Sequence, residues 1–348
     1  MNDMSKSKVI VIAFLAASAL SIYSSGFSQG HTNADAETQA RKSWREKIRN
    51  TLPPKAGACY HASYPNNIWK EVTCVTAPNR PFAQWLPSAG KIESIKAAAS
   101  GQAQTVGNSV DYVAKVPSLM YLAVGQFSAI SGVTSETGYE GANDYTLQLN
   151  SNFMSSPACS GHSGCLAWQQ FVYSSGEQAL FIQYWLLDYG TCPSGWNTYG
   201  SNCWKNSSAV QVPTIPVTEL INVDLWAGTS SANDWIQLTT GNYYPSAGTD
   251  SYSFTTPNSV LDLVAGWNES EFNIFGDGGG SAANFNSGSS IGVRIQLLEP
   301  GSTQTAPTCV PNAGTTGETN NLTLVGGCAT GVGAAGSTNP YISFTESN

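Results

Sequence analysis

Charged residues are scarce in this sequence: Asp, Glu, Lys and Arg together make up 11% of the 348 residues, where about 25% is usual. Histidine is rarer still, with three copies, and no two cysteines have CxxC spacing. We therefore expect no metal centre and no cofactor. The net charge of −8 and the pI near 4.8 argue against a nucleic-acid partner, which requires a basic surface.

Long apolar runs are missing after the N-terminus. The one such run, VIVIAFLAASAL, follows Lys6 and Lys8 and precedes small residues, which is the pattern of a secretory signal peptide over residues 1–28. The run is short for a membrane span, although an uncleaved N-terminal anchor is the alternative. We expect a secreted monomer (extracellular or periplasmic) that has no membrane segment after signal removal.

Eight cysteines are present, and this number fits an oxidising compartment. They fall into four local couples, each of which brackets a loop-like segment, so we expect nearest neighbours to pair among the many possible connectivities. The expected disulfides are Cys59–Cys74, Cys159–Cys165, Cys192–Cys203 and Cys309–Cys328.

Short runs of alternating apolar and polar residues recur from residue 106 onward, separated by turns rich in Gly, Asn and Ser. Around eleven such runs are present, from SVDYVAKV to IGVRIQLL and including SVLDLVAG, without a convincing long helix among them. This spacing predicts an all-β fold, an antiparallel β-sandwich with two curved, concanavalin-like sheets, over residues 106–298.

The segments before residue 106 and after residue 298 lack the regular series of alternating runs. Residues 29–105 contain a charged stretch with helical spacing of Ala40, Trp44 and Ile48, followed by a Cys-stapled segment. This part is either a pro-segment or an ordinary N-terminal helix and hairpin packed on the domain. Residues 299–348 are expected to form a linker and a Cys-stapled tail.

A strand–turn–strand stretch at 260–298 holds the best-placed reactive group. In SEFNIFGD, Phe272 and Ile274 point to one face of the predicted strand, while Glu271 and Asn273 point to the other. A carboxylate held in mid-strand on the mixed face is suited to acid–base chemistry.

Other catalytic patterns are missing. The three histidines, at positions 31, 61 and 162, are not accompanied by a GxSxG motif, so a Ser/His/Asp triad is not expected. His61 and His162 lie in Cys-bracketed loops, where a structural role is the simpler expectation. The glycines of GDGGGS are expected to serve turn geometry, because no GKS/T motif follows them.

Two predicted strands place an amide between aromatic side chains. LAWQQFVYSS puts Gln169, Phe171 and Tyr173 on one face, and ALFIQYWLLDY puts Gln183 and Trp185 on one face. The alternative is ordinary: a strand glutamine is usually solvated or bonded to a neighbour, and aromatic residues usually belong to the core.

The order of the segments AWQQFVY, FIQYWLLDY, DWIQLTTGNYY and SEFNIFGD resembles the glutamic peptidase family (the eqolisins). The resemblance covers roughly residues 106–298, although the family's tryptophan strand before the glutamine has no clear counterpart. It implies a two-sheet sandwich that cleaves polypeptides under acidic conditions without a cofactor. In this resemblance Glu271 acts as general base and then acid, and Gln169 donates to the oxyanion.

The same resemblance leaves Gln183 as the alternative amide and implies an aromatic substrate groove. The residues assigned to that groove are Phe171, Tyr173, Trp185 and Asn273. Two other functions stay open: a non-catalytic module that binds carbohydrate or a surface by stacking on Trp185 and Tyr173, and a purely structural exported protein. A peptidase requires Glu271 and an amide on one groove, whereas a glycan-binding module requires exposed aromatic side chains.

Overall fold

In the computed structural model of the protein, residues 28–82, 111–241, 249–301, 305–311, 318–332 and 339–348 are described. The predicted signal peptide therefore lies outside the described residues up to position 27, as do residues 83–105 of the predicted 29–105 segment. The chain divides into two compact units, 1–40 and 41–348. Among the described helices, none has the length and hydrophobicity that a membrane span requires.

The described residues form one α-helix, four short 3₁₀ helices and many strands. The helices are α1 (Ser28–Arg49) and the 3₁₀ turns Pro157–Cys159, Val217–Asn222, Asn258–Val260 and Leu263–Ala265. The first strands are β1 (Cys59–Ser63), β2 (Lys70–Val72), β3 (Val75–Thr76), β4 (Tyr112–Lys115), β5 (Leu122–Ser131), β6 (Glu136–Thr137), β7 (Tyr145–Ser151), β8 (Leu166–Ser174), β9 (Ala179–Leu187), β10 (Asn197–Tyr199) and β11 (Asn202–Asn206). The remaining strands are β12 (Ser208–Gln211), β13 (Asp224–Thr229), β14 (Asn233–Thr239), β15 (Asp250–Pro257), β16 (Glu269–Gly276), β17 (Ala282–Phe285), β18 (Ser290–Leu298), β19 (Thr308–Pro311), β20 (Thr319–Asn320), β21 (Thr323–Gly331) and β22 (Tyr341–Ser347).

Two large antiparallel sheets build the molecule. The nine-stranded sheet has the order β2-β1-β15-β14-β13-β5-β18-β22-β21, and the ten-stranded sheet runs β10-β11-β9-β8-β7-β16-β4-β19 with β12 and β3 attached beside β9. A small third sheet, β20-β17-β6, contains one parallel pair. The predicted all-β sandwich is confirmed.

The core fills the space between the two large sheets. Because side chains alternate along a strand, each strand gives every second residue to this core. The ten-stranded sheet contributes Leu147, Leu149, Phe171, Ile182, Phe272 and Ile274, and the nine-stranded sheet contributes Phe127, Leu225, Ile236, Leu238, Val293 and Ile295. Gly125 lets the sheets approach closely, because a Cβ at that position would overlap the ring of Phe272.

The sandwich is larger than the 106–298 segment that the alternating runs predicted. β1 and β2 extend the nine-stranded sheet beyond β15, and β22 pairs with β18 in the same sheet. The N-terminal hairpin and the C-terminal tail are therefore strands of the fold and not appended segments. β22 alternates strictly over its seven residues, but its place beside β18 depends on long-range pairing that local periodicity does not show.

One predicted strand is wrong throughout, and the first half of another, PVTELINVDLWAG, forms the 3₁₀ helix Val217–Asn222 before β13 begins. SVLDLVAG forms two 3₁₀ turns, with Asp262 in the left-handed region at φ 59°. Asn258 stabilises this turn, because its Nδ2 donates to Asp262 Oδ1 at 2.9 Å and its Oδ1 accepts from the Val264 N–H at 3.3 Å. Such side-chain bonds compete with a strand ladder.

The last two turns of α1, from Arg41 onward, pack on the larger unit. Trp44 and Ile48 are buried, as their helical spacing predicted, whereas Ala40 is exposed. Arg45 is buried as well and forms an ion pair with Asp224 at 2.6 Å. This part of the helix therefore belongs to the packed domain, which favours the second of the two N-terminal interpretations for residues 41–49.

All four predicted disulfides are present, and no cysteine is free. Cys309–Cys328 joins β19 of the ten-stranded sheet to β21 of the nine-stranded sheet. Four disulfides in one chain indicate folding in an oxidising, non-cytoplasmic compartment.

Candidate active site

A line of polar side chains crosses the outer face of the ten-stranded sheet. β16, β7, β8 and β9 lie side by side in that order. The register pairs Glu271 with Asn150 and Asn150 with Gln170, and Gln170 in turn pairs with Gln183. All four side chains are fully buried. We call these four residues the carboxyl–amide row.

The structure corrects the predicted amide partner of Glu271. Gln169 points into the core between the sheets, like Phe171 on the same strand, and its Nε2 donates to Asp234 Oδ2 at 3.2 Å in the opposite sheet. Of the two glutamines of β8, Gln170 is the one on the face of Glu271, one residue further along. The prediction was wrong because successive side chains of a strand point to opposite faces, so a one-residue error changes the face.

Hydrogen bonds hold the row in place. Glu271 Oε2 accepts from Asn150 Nδ2 at 2.9 Å. Gln170 Oε1 accepts from Trp185 Nε1 at 2.7 Å, and Gln170 Nε2 donates to Gln148 Oε1 at 2.9 Å. A carboxylate and two neighbouring amides are thus fixed on rigid central strands, an arrangement suited to moving a proton and stabilising a developing negative charge.

Gln183 lies on the predicted face, but three strands from Glu271, at a distance of about 14 Å. Its amide is therefore too far away to share a water molecule with that carboxylate. Its Oε1 accepts from Trp185 Nε1 at 3.1 Å and from the Phe82 backbone N–H at 2.7 Å. Gln183 thus contacts a neighbouring stretch of backbone and is not the partner of Glu271.

Two of the predicted groove residues face the wrong way. Phe171 and Tyr173 belong to the core between the sheets, and the Tyr173 hydroxyl donates to the Pro213 carbonyl at 2.9 Å. Burial raises the pKa of Tyr173 to about 12. Trp185 does lie on the outer face, where it packs with Trp168 and orients two amides, but it is fully buried. Neither Tyr173 nor Trp185 is therefore an exposed stacking platform.

Asn273 lies in the middle of β16, and its side chain lies between two buried carboxyl groups. Its Nδ2 donates to Glu346 Oε1 at 2.9 Å and to Asp111 Oδ2 at 3.3 Å. Burial raises the pKa of Glu346 to about 8, and the nearby Asp111 carboxylate adds to the shift. Asn273 therefore ties the last strand to β16 and is not part of a groove.

An acidic corner lies just beyond the end of β16. Asp277 accepts from the Ser174 hydroxyl at 2.8 Å and forms an ion pair with Arg80 at 3.3 Å. Burial raises the pKa of Asp277 to about 7, the positive charge of Arg80 opposes the rise, and Asp144 adds to it. Burial, together with Asp144, also raises the pKa of Glu136 to about 7.

The two histidines whose side chains the structure describes, His61 and His162, do not form a nucleophile relay. Ser63 Oγ and Asp250 Oδ1 lie 3.2 Å and 2.8 Å from the same atom, His61 Nε2. In a catalytic triad the acid and the serine occupy different ring nitrogens. His162 stacks on Tyr189 at 3.6 Å. Within the described ranges, no group of three or more His, Cys, Asp or Glu residues is placed to hold a metal ion.

The sequence-based assignment missed Asn150 and Gln170. The only sequence signal for Asn150 was its position two residues after Gln148 in YTLQLNS, which puts both side chains on one face of the strand. Gln170 was visible as the second member of a Gln–Gln pair. The chain matches no protein-family model, no curated protein and no solved structure, so the site is interpreted from its own geometry.

Proposed function

We propose that the protein is a secreted, acid-acting endopeptidase of the glutamic type, in which Glu271 and Gln170 act on one face of the ten-stranded sheet. The observation that carries the proposal is the carboxyl–amide row itself. Glu271 and Gln170 flank Asn150 in register, with their strands about 10 Å apart. Two long side chains at that distance can reach one water molecule and one peptide carbonyl between them.

In the proposed mechanism Glu271 acts first as a base and then as an acid, and Gln170 acts as a hydrogen-bond donor. Glu271 takes a proton from water as the water oxygen attacks the carbonyl carbon of the substrate. Gln170 Nε2 donates to the carbonyl oxygen as it becomes an oxyanion. Glu271 then returns the proton to the amide nitrogen while the carbon–nitrogen bond breaks. Asn150 holds the Glu271 carboxylate at 2.9 Å and keeps it oriented.

Acidic working conditions fit the rest of the chain. The pI is about 4.8, and burial raises the pKa of Asp234 to about 6 and that of Asp277 to about 7. Buried acids of this kind are protonated without penalty at low pH, so the fold keeps its stability there. Four disulfides are consistent with export.

The test compares casein hydrolysis between about pH 3 and pH 7 by the wild type and Glu271→Gln. Loss of a general base lowers the rate by at least about 100-fold. Glu269→Gln is the matched control, because Glu269 lies on the same strand and its carboxylate is bonded to Lys115 at 2.6 Å. We expect the control to retain its rate.

Melting temperatures of both variants separate lost chemistry from lost folding. Equal hydrolysis by the wild type and folded Glu271→Gln would remove Glu271 from the mechanism. Absence of casein hydrolysis at every pH, even after residues 77–82 have been displaced, would reject the peptidase function.

A further inference from the structure

Residues 77–82, which we call the covering segment, lie over the Gln183 end of the carboxyl–amide row. The segment follows β3, which pairs with β12 at the side of the ten-stranded sheet. Phe82 is fully buried, and its ring lies 5.5 Å from the ring of Phe181 on the outer face. The segment therefore covers a part of the outer face of the ten-stranded sheet over which a polypeptide substrate of the carboxyl–amide row would lie.

Side-chain amides hold the backbone of the covering segment. Gln183 accepts from the Phe82 N–H at 2.7 Å and donates to the Arg80 carbonyl at 3.3 Å. Asn206 donates to the Pro78 carbonyl at 2.7 Å, and its own Oδ1 accepts from Gln183 Nε2 at 2.7 Å. These contacts go to backbone groups of alternate residues in a segment that bends at Asn79 and Arg80, so they do not depend on the side chains of the bound peptide.

Two side chains of the segment enter sites of different chemistry. Arg80 reaches the acidic corner, with ion pairs to Glu177 at 2.8 Å and Asp277 at 3.3 Å and a longer one to Glu140 at 3.5 Å. The Asp277 side chain is fully buried, so its charge is the least screened of the three at a pH above its pKa of about 7, where it is ionised.

Phe82 enters an apolar site beside that corner. The site is formed by Phe181, Val172, Ala179 and Ala209. Gly278, at φ +79°, brings the β16–β17 turn against both side chains: a Cβ there would lie 3.1 Å from Arg80 Cδ and 3.5 Å from Phe82 Cε1. The turn thus forms a wall shared by the basic and the aromatic subsite.

We propose that Gln183, Asn206, Asp277 and Phe181 form a peptide-binding groove that the covering segment occupies in cis. The groove takes polypeptides with a basic residue two positions before an aromatic one, in the bent conformation of residues 77–82. While residues 77–82 remain seated, this groove is closed to other peptides. This assignment deepens the proposed function by naming its substrate class, but peptide binding itself does not depend on catalysis.

The test weakens the binding of the covering segment by substitution in the full chain and then measures binding of a free peptide with the sequence of that segment. The probe is a fluorescein-labelled peptide with the sequence of residues 77–82, APNRPF, measured by fluorescence anisotropy. The receptor carries Arg80→Glu and Phe82→Ala on a Glu271→Gln background that prevents digestion. We expect it to bind the probe at least roughly tenfold more tightly than the chain with an intact segment, because the competing cis ligand is weakened.

Matched changes test each subsite. At pH 8, where Asp277 with its pKa of about 7 is ionised, adding Asp277→Asn to the opened receptor, or replacing the arginine of the probe by alanine, is expected to weaken binding roughly tenfold, since each removes one side of a charge-assisted contact. Lys42→Glu makes the same charge change on an exposed helix position and is expected to leave the groove closed. Arg80→Glu alone serves as a second opened receptor that retains the buried Phe82.

The outcomes separate the groove from the chemistry. If a folded opened receptor, judged by its melting temperature, binds no more probe than the intact chain, the groove assignment is overturned even when casein is cleaved. If the probe binds with the expected Asp277 dependence but the chain with Glu271 never cleaves it or casein, the groove stands and the peptidase function falls.

Discussion

Gln169 and Gln170 are adjacent in the chain and serve opposite sides of the ten-stranded sheet. Gln169 donates to the buried Asp234 carboxylate between the sheets, whereas Gln170 bonds to Gln148 and Trp185 on the outer face. Each amide is fully buried. The pair therefore offers a comparison in which residue type, burial and strand are matched and only the direction of the side chain differs.

Substituting each glutamine by alanine should separate stability from activity. Gln169→Ala removes a donor from Asp234 and should lower the free energy of unfolding by about 1–3 kcal/mol, with activity retained. Gln170→Ala also destabilises, but in addition it should lower kcat by roughly 100- to 1,000-fold through loss of the oxyanion donor. Urea unfolding and casein hydrolysis measure the two effects. A folded Gln169→Ala variant with the larger loss of kcat would refute the assignment.

The position of Glu271 on a strand was predictable, but its amide partner was not. In SEFNIFGD the apolar Phe272 and Ile274 fix which face is the core, so the direction of Glu271 follows. In β8 all nine residues are buried, with apolar side chains on both faces. Alternation of apolar and polar residues then does not show which face of β8 each glutamine takes. The contact with Asp234 identifies Gln169 as the glutamine that points inward.

Among the secondary-structure elements, strands with clear alternation of apolar and polar residues between turn residues were predictable. Elsewhere, local side-chain hydrogen bonds gave a different structure from the one predicted. IGVRIQLL and EFNIFG form β18 and β16 as expected. SVLDLVAG has the composition of a strand but forms 3₁₀ turns, because Asn258 bonds to the backbone and side chain that follow it. The pairing of distant strands, such as β1 with β15, depends on long-range register that no local pattern contains.

The Cys59–Cys74 disulfide fastens the hairpin that leads into the covering segment. It spans 15 residues, and a loop of that length corresponds to about 3 kcal/mol of stabilisation through the entropy of the unfolded chain. Replacing both cysteines by alanine should lower the free energy of unfolding by about that amount in urea denaturation. The matched control is Cys159→Ala/Cys165→Ala, which removes a disulfide that spans 6 residues. This change should lower the free energy of unfolding by less, about 2 kcal/mol. Equal losses would argue against the chain-entropy explanation.

At the scale of the whole molecule, several buried acids have pKa values raised by burial. The folded values are about 6 for Asp234, about 7 for Asp277 and Glu136, and about 8 for Glu346, against ordinary values of 3.8 for Asp and 4.5 for Glu. Since the folded pKa exceeds the unfolded one, folding favours the protonated form of each group. Their contribution to stability is complete below about pH 4 and is lost as the pH rises towards 8.

The melting temperature should therefore fall by more than about 10 °C as the pH is raised from 4.5 to 8, for a chain of this size. Differential scanning calorimetry across that range measures the change. Glu346→Gln should flatten the upper part of the profile, because it removes the acid with the highest folded pKa, about 8. Glu46→Gln, at an exposed helix position, is the matched control and should leave the profile unchanged.

Asp250 works in the opposite direction. Burial alone would raise its pKa, but hydrogen bonds from His61 and Ser63 outweigh burial and lower it. Its stabilising contribution is therefore present above its ordinary pKa of 3.8 and disappears on stronger acidification. A melting temperature that rose steadily from pH 4.5 to pH 8 would contradict the dominance of the buried acids.

The Cys309–Cys328 bond also determines how the molecule yields to mechanical force. It connects the two large sheets along the edge formed by β19 and β21, so the layers cannot peel apart there without breaking a covalent bond. A pull on the C-terminus that unzips β22 and then β21 is stopped at Cys328, and the 19-residue stretch back to Cys309 adds nothing to the extension. Separation of the layers has to begin at the opposite edge, beside β10 and β2.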